Sequence, residues 1–167
     1  MTYLDVKELQ SVYKQISVSH SLSKEENYEV PMRLGEEITS VNLKVVHSSV
    51  EYGNVKVTMS TEIFGKVEAR FIMTNNILEG SILTDYMDGK EILEAGADEL
   101  TEAIKEALRE TEIELKNIFF GVNRNLDINM PEKGEKTSEN NVALLYKVAK
   151  SFIYYVKEKS NVEITRR

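Results

Sequence analysis

Three stretches of the chain alternate apolar and polar side chains with a period of two. Val41, Leu43, Val45 and His47 are interleaved with Asn42, Lys44 and Val46, and Val55, Val57, Met59, Thr61 and Ile63 with Lys56, Thr58, Ser60 and Glu62. Val67, Ala69, Phe71 and Met73 are separated in the same way by Glu68 and Arg70, among others. Successive side chains on a strand point to opposite faces, so each stretch predicts a strand with one buried and one wet face. Gly53-Asn54, Phe64-Gly65-Lys66 and Asn75-Asn76 punctuate the stretches. Gly and Asn tolerate the positive φ that tight hairpins demand, so these are the expected turns. A run from Ile77 to Leu83 and a shorter one around Tyr28 to Leu34 extend the series into an antiparallel meander.

At Asp85 the period changes to that of a helix. Asp88 is the expected cap, with Glu91 three residues on, and Leu93, Ala97, Leu100, Ala103, Ile104, Ala107 and Leu108 form one apolar stripe. The spacing predicts a single helix over 89–110, laid on one face of the sheet. Leu115 to Val122 is aromatic and β-favouring and reads as a closing strand within 113–122. Ser138 opens a final helix whose stripe is Val142, Leu145, Tyr146, Ala149, Phe152, Ile153 and Val156. At the other end Leu9, Val12, Tyr13 and Ile16 predict a short amphipathic helix over 4–17. The expected fold class is α+β: an antiparallel β-meander covered by a long amphipathic helix, with additional N- and C-terminal helices. Residues 1–27 form the N-terminal helix and polar linker, 28–122 the central unit, 123–137 a loop, and 138–167 the C-terminal helix and tail.

Composition narrows the function classes. The 167 residues carry a net charge of −7 and no cysteine. Phosphate-backbone binding relies on clustered Lys and Arg, so nucleic acid is not an expected partner. Thiol nucleophiles, thiolate metal sites and disulfides are excluded. The start lacks a basic region followed by an apolar core, and no run approaches the roughly 20 apolar residues that span a bilayer. The expectation is a soluble, intracellular chain without membrane insertion. The excess negative charge is concentrated in 86–116, whereas 142–167 is basic. Either these two helices face each other or each presents a field to a partner, and solvated faces are the simplest account.

The residues point away from catalysis. His20 sits in the polar linker, and His47 is in phase with the apolar face of its strand, without a partner at metal-ligand spacing. Asp85, Asp88, Gly89 and Glu91 do not keep the alternate oxygen ligands of a calcium loop and read instead as a helix start. No glycine-rich phosphate loop and no nucleophile elbow is present. Glu94, Asp98, Glu102 and Glu106 follow one another at four-residue intervals, an acidic edge more suited to surface than to paired-carboxylate catalysis. No catalytic residue, cofactor or metal is expected.

The segment Val55 to Val122 resembles the C-terminal domain of flagellar hook-length control proteins. The matching pieces are Phe64, Gly65 and Val67 in an apolar-Gly-x-Val turn, then Phe71, then Leu78 and Gly80, then the spaced Leu93, Leu100 and Leu108, and finally Leu115 and Ile118. Three departures stand out: that family commonly closes its helix with Gly where this chain has Glu110-Thr111-Glu112, the expected strands at 28–48 and closing helix at 138–158 add to the compact family core, and the 54 residues before the match are too few to measure a growing hook. The resemblance implies a non-enzymatic domain that binds a protein partner, the cytoplasmic domain of the flagellar export gate, and switches export from hook to filament subunits. It implies a cytoplasmic location, with passage through the flagellar apparatus as a further route. The leading contact is the acidic edge of Glu94, Asp98, Glu102 and Glu106. The alternatives are an interaction module outside flagellar export and a small-ligand domain using Tyr28, His47, Tyr52 or Arg70 as polar contacts.

Overall fold

The computed structural model describes residues 25–47, 52–128 and 142–166. The helix expected over 4–17 and the opening of the last helix at Ser138 lie outside the described residues. Six strands form one sheet in sequential order: β1 (Glu25–Leu34), β2 (Glu37–His47), β3 (Tyr52–Thr61), β4 (Gly65–Thr74), β5 (Ile77–Thr84) and β6 (Glu114–Val122). Strands β1 to β5 pair antiparallel, as the alternation predicts. Two strands start earlier than their patterns suggest: β1 pairs from Glu25, opposite Val46, and the hairpin around Gly35 at φ +65 carries the pairing of β2 back to Glu37.

Two expected turns hold and one does not. Asn75 takes φ +55 between β4 and β5, and Gly65 takes φ +75 where the chain re-enters the sheet as β4. Gly53 and Asn54, by contrast, lie inside β3 and pair with His47 and Val46. Their glycine and amide are tolerated in the ladder, so composition alone misplaced that hairpin.

The closing strand corrects the all-antiparallel expectation: β6 runs parallel to β5. Two helices, α1 (Met87–Ala95) and α2 (Ala97–Ala107), carry the chain back along the sheet before β6 begins. A helical crossover returns the next strand in the original direction, whereas a hairpin would reverse it. The ends of β6 are fixed by Glu114 N–H donating to Asn76 O and Asn123 N–H donating to Thr84 O, each at 2.8 Å. A bulge opposite Leu78 and Glu79 leaves Lys116 as the extra residue, with its ammonium 3.8 Å from the Glu79 carboxylate.

The single helix predicted over 89–110 is likewise two. Gly96 ends α1 at φ −101 and ψ 21, and glycine is the weakest non-proline helix former. The apolar stripe survives the break, since Leu93, Leu100, Ile104 and Leu108 are all buried. Asp88 does not cap: it lies in the first turn, and the N-cap position is Tyr86, which makes no side-chain cap bond. Tight packing explains Gly89, where a Cβ would meet the backbone carbonyl of Phe64. At the far end, where the resemblance called for glycine, Glu110 itself adopts φ +71. Thr111 Oγ1 donates to Leu108 O at 2.6 Å and steadies that exit.

The last helix, α3 (Val142–Arg166), takes the covering role expected of 89–110. It lies over β1 to β4, most closely β3, and packs against α2 along its side. Leu145, Val148, Phe152 and Val156 are buried in the same core as Met32, Val55, Val57 and Phe71. The Phe71 and Phe152 rings are 6.2 Å apart at 59°, a tilted aromatic pair. An amphipathic helix and the apolar side of a sheet each remove the other's surface from water, which is the main drive for this arrangement.

Candidate functional site

The face of the sheet turned away from the helices is less wet than its alternation implies. Lys44 and Lys56 are only 6% and 7% exposed, and Thr58 is 2% exposed. All three occupy the polar phase of their strands. Part of the reason is the segment after β6: Leu126 is buried, and Ile128 reaches a groove formed over β1, β2 and β3. That groove has a volume of about 690 Å³. Sequence reasoning could not find it, because nothing in the 123–128 pattern says which strands it will approach.

Register explains what lines the groove. Asn27 of β1 pairs with Lys44 of β2, and Lys44 pairs with Lys56 of β3. The next row on the same face is Glu29, Asn42 and Thr58. Ser40 and Ser60 close the end nearer the Gly35 hairpin. Beyond the groove Lys56 pairs with Arg70 of β4, so three cationic residues stand in one row across adjacent strands. Glu68 approaches Lys56 at 3.7 Å, in a pair whose side chains are 14% and 8% exposed.

Of the residues singled out as polar contacts, Tyr28 borders this groove, and its hydroxyl donates to Glu26 Oε2 at 2.8 Å. Arg70 shares the cationic row without lining the groove, Tyr52 opens β3, and His47 ends β2. The structure therefore does not gather the four: Tyr28 pairs with Leu43 and packs against the core, Arg70 stands in the cationic row on the opposite face, and Tyr52 and His47 lie at strand ends.

The acidic edge comes out differently from its spacing. All four residues are exposed. However, the break at Gly96 puts Glu94 on α1 and Asp98, Glu102 and Glu106 on α2. Three carry their own counter-ions: Lys90 lies 2.5 Å from Glu94, Lys105 4.0 Å from Glu102, and Arg109 3.2 Å from Glu106. The field is thus weaker than four aligned carboxylates would produce. The acidic and basic helices also meet, since Lys159 Nζ of α3 sits 2.9 Å from Glu99 of α2.

At that junction Tyr155 donates its hydroxyl to Leu93 O, a carbonyl close to the end of α1. Burial pushes the Tyr155 phenol well above its ordinary range, and the Glu99 charge adds to this. A Cβ on Gly96 would strike Tyr155 Oη and the end of Lys159. The structural motif residues take core positions: Phe64, Val67, Phe71, Leu93 and Leu100 are at most 1% exposed and Leu108 4%. Gly65 is held by Asp85, whose Oδ1 accepts from Lys66 N–H at 2.8 Å.

Among the described residues no group of three or more His, Cys, Asp or Glu is placed to hold a metal ion, and no helix is long and apolar enough to cross a membrane. No protein-family model, curated protein or solved structure matches the chain.

Proposed function

We propose that this chain is a non-enzymatic protein-binding domain working in the manner of the hook-to-filament export switch that its central segment resembles. The observation that carries the reading is the course of the chain from Val55 to Val122. It passes through β3, the Gly65 turn, β4, the Asn75-Asn76 turn, β5, a buried leucine stripe on two helices, and the closing strand β6. A surface suited to protein contact accompanies it. Strand β6 is the last in the sheet, and Phe119 on it is 62% exposed. An edge strand with an exposed aromatic offers both backbone hydrogen bonds and apolar area to a partner.

The partner of this reading is the cytoplasmic domain of the flagellar export gate, and the chain would meet it in the cytoplasm. The acidic edge contributes long-range attraction, led by Asp98, which makes no ion pair among the described residues. The test is association of the chain with that domain across a salt series, by surface plasmon resonance. Saturable binding is expected, slowed by Asp98→Lys and Glu102→Lys and weakened by salt as charges are screened over roughly 8 to 10 Å. Absence of saturable binding at low salt overturns the assignment. Binding that ignores both the charge reversals and the salt removes the acidic edge from it.

A further inference from the structure

We propose that the groove over β1, β2 and β3 is a binding site for a small polar molecule carrying an oxyanion, phosphate or carboxylate. This site lies on the opposite side of the sheet from the helices and is independent of the protein-binding reading. Lysine is rarely buried, and like charges set directly opposite each other on neighbouring strands repel. Here Lys44 and Lys56 are cross-strand partners, both almost wholly buried, and Arg70 continues their row on β4. Glu68 approaches Lys56 at 3.7 Å and Glu29 lies in the adjoining row, so the three cations outnumber the neighbouring carboxylates by one, in a protein whose net charge is −7.

Around the two ammonium groups the groove supplies hydrogen-bonding side chains. Asn27 stands beside Lys44, and Glu29, Asn42 and Thr58 form the neighbouring row, with the Glu29 carboxylate at its β1 end, away from Lys56. An oxyanion takes charge-assisted bonds from lysines, and amides and hydroxyls bind the polar body attached to it. The volume of about 690 Å³ falls in the range of ligand pockets and is too large for a lone ion. Ile128 supplies an apolar wall on one side. The groove fits a compact anionic metabolite better than an extended polymer, because its floor covers only three strands.

The experiment is a titration of the isotope-labelled full chain with inorganic phosphate, glycerol 3-phosphate and succinate, followed by amide chemical shifts. Saturable shifts are expected at Asn42 to Lys44 and at Lys56 to Thr58. A phosphate source makes the first two probes the tighter, a carboxylate source makes succinate the tighter. Lys44→Met and Lys56→Met keep the buried stem but lose the charge, and each should weaken binding by about tenfold or more. Lys44→Arg retains charge and should keep most of the affinity, which separates loss of the site from loss of the fold. Lys90→Met, on the helical side, should leave binding unchanged. Shifts that never saturate, that spread over the whole surface, or that persist unchanged in both Met variants overturn the proposal. No protein partner is present in the titration, so its outcome stands apart from that of the export-gate assay.

Discussion

Phe71 and Gly80 form a cross-strand pair in which one residue has the space of two. The Phe71 side chain is fully buried, and a Cβ built on Gly80 would lie 2.7 Å from Cε1 and 2.9 Å from Cδ1 of its ring. Removing the ring in Phe71→Ala loses its burial and its contact with Phe152, and should cost about 3 to 5 kcal/mol. Gly80→Ala alone should also destabilise. The strand gains about 0.5 to 1 kcal/mol from replacing glycine, but forcing a methyl against a packed ring costs about 1 to 3 kcal/mol. In the Phe71→Ala background the obstruction is gone, so the same Gly80→Ala change should stabilise by about 0.5 to 1 kcal/mol. Urea melts of the four proteins give the coupling directly, and about 1 to 3 kcal/mol is expected for residues in contact. Strict additivity, with Gly80→Ala having the same sign in both backgrounds, would show that the ring does not occupy that space.

Three further outcomes follow from the backbone and the helix junction. Gly65→Val places a β-branched residue at φ +75 against Asp85, and a drop of about 1 to 3 kcal/mol in urea stability is expected; an unchanged midpoint refutes the clasp. Glu110→Gly relieves a left-handed residue at φ +71 and should raise stability by about 1 kcal/mol, read as a higher melting temperature. Tyr155→Phe leaves Leu93 O without its donor and should cost about 1 to 2 kcal/mol at neutral pH. Because the folded Tyr155 phenol is raised above its unfolded value of 10.0, the folded state holds its proton longer than the unfolded one. Wild-type stability from this group is therefore intact below pH 10 and lost as pH rises beyond it, and Tyr155→Phe should show a shallower alkaline decline.

Strand faces were readable because burial leaves a period of two, and Val55, Val57, Met59, Phe71 and Met73 all point to the core as their alternation requires. Periodicity carries no direction, so the parallel placement of β6 was not legible from its own residues. The stripe Leu93, Leu100, Ile104 and Leu108 was legible too, yet it hid the break at Gly96, since a helix can pivot at glycine while keeping the same side chains inward. The groove was the least legible part. Lys44, Lys56 and Thr58 have the composition of a wet face, and only strand register together with the chain after β6 makes that face a cavity.

The position of α3 also bears on how the chain is made. The sheet it covers through β4 is complete at Thr74, but the described helix begins only at Val142. A ribosome adding roughly 5 to 20 residues per second needs on the order of 5 to 20 s to finish the helix after that strand. Throughout that interval the apolar side of a four-stranded sheet has no permanent lid. Nascent chains stalled before residue 142 should therefore bind holdase chaperones and yield to protease, and release of the last helix should end both.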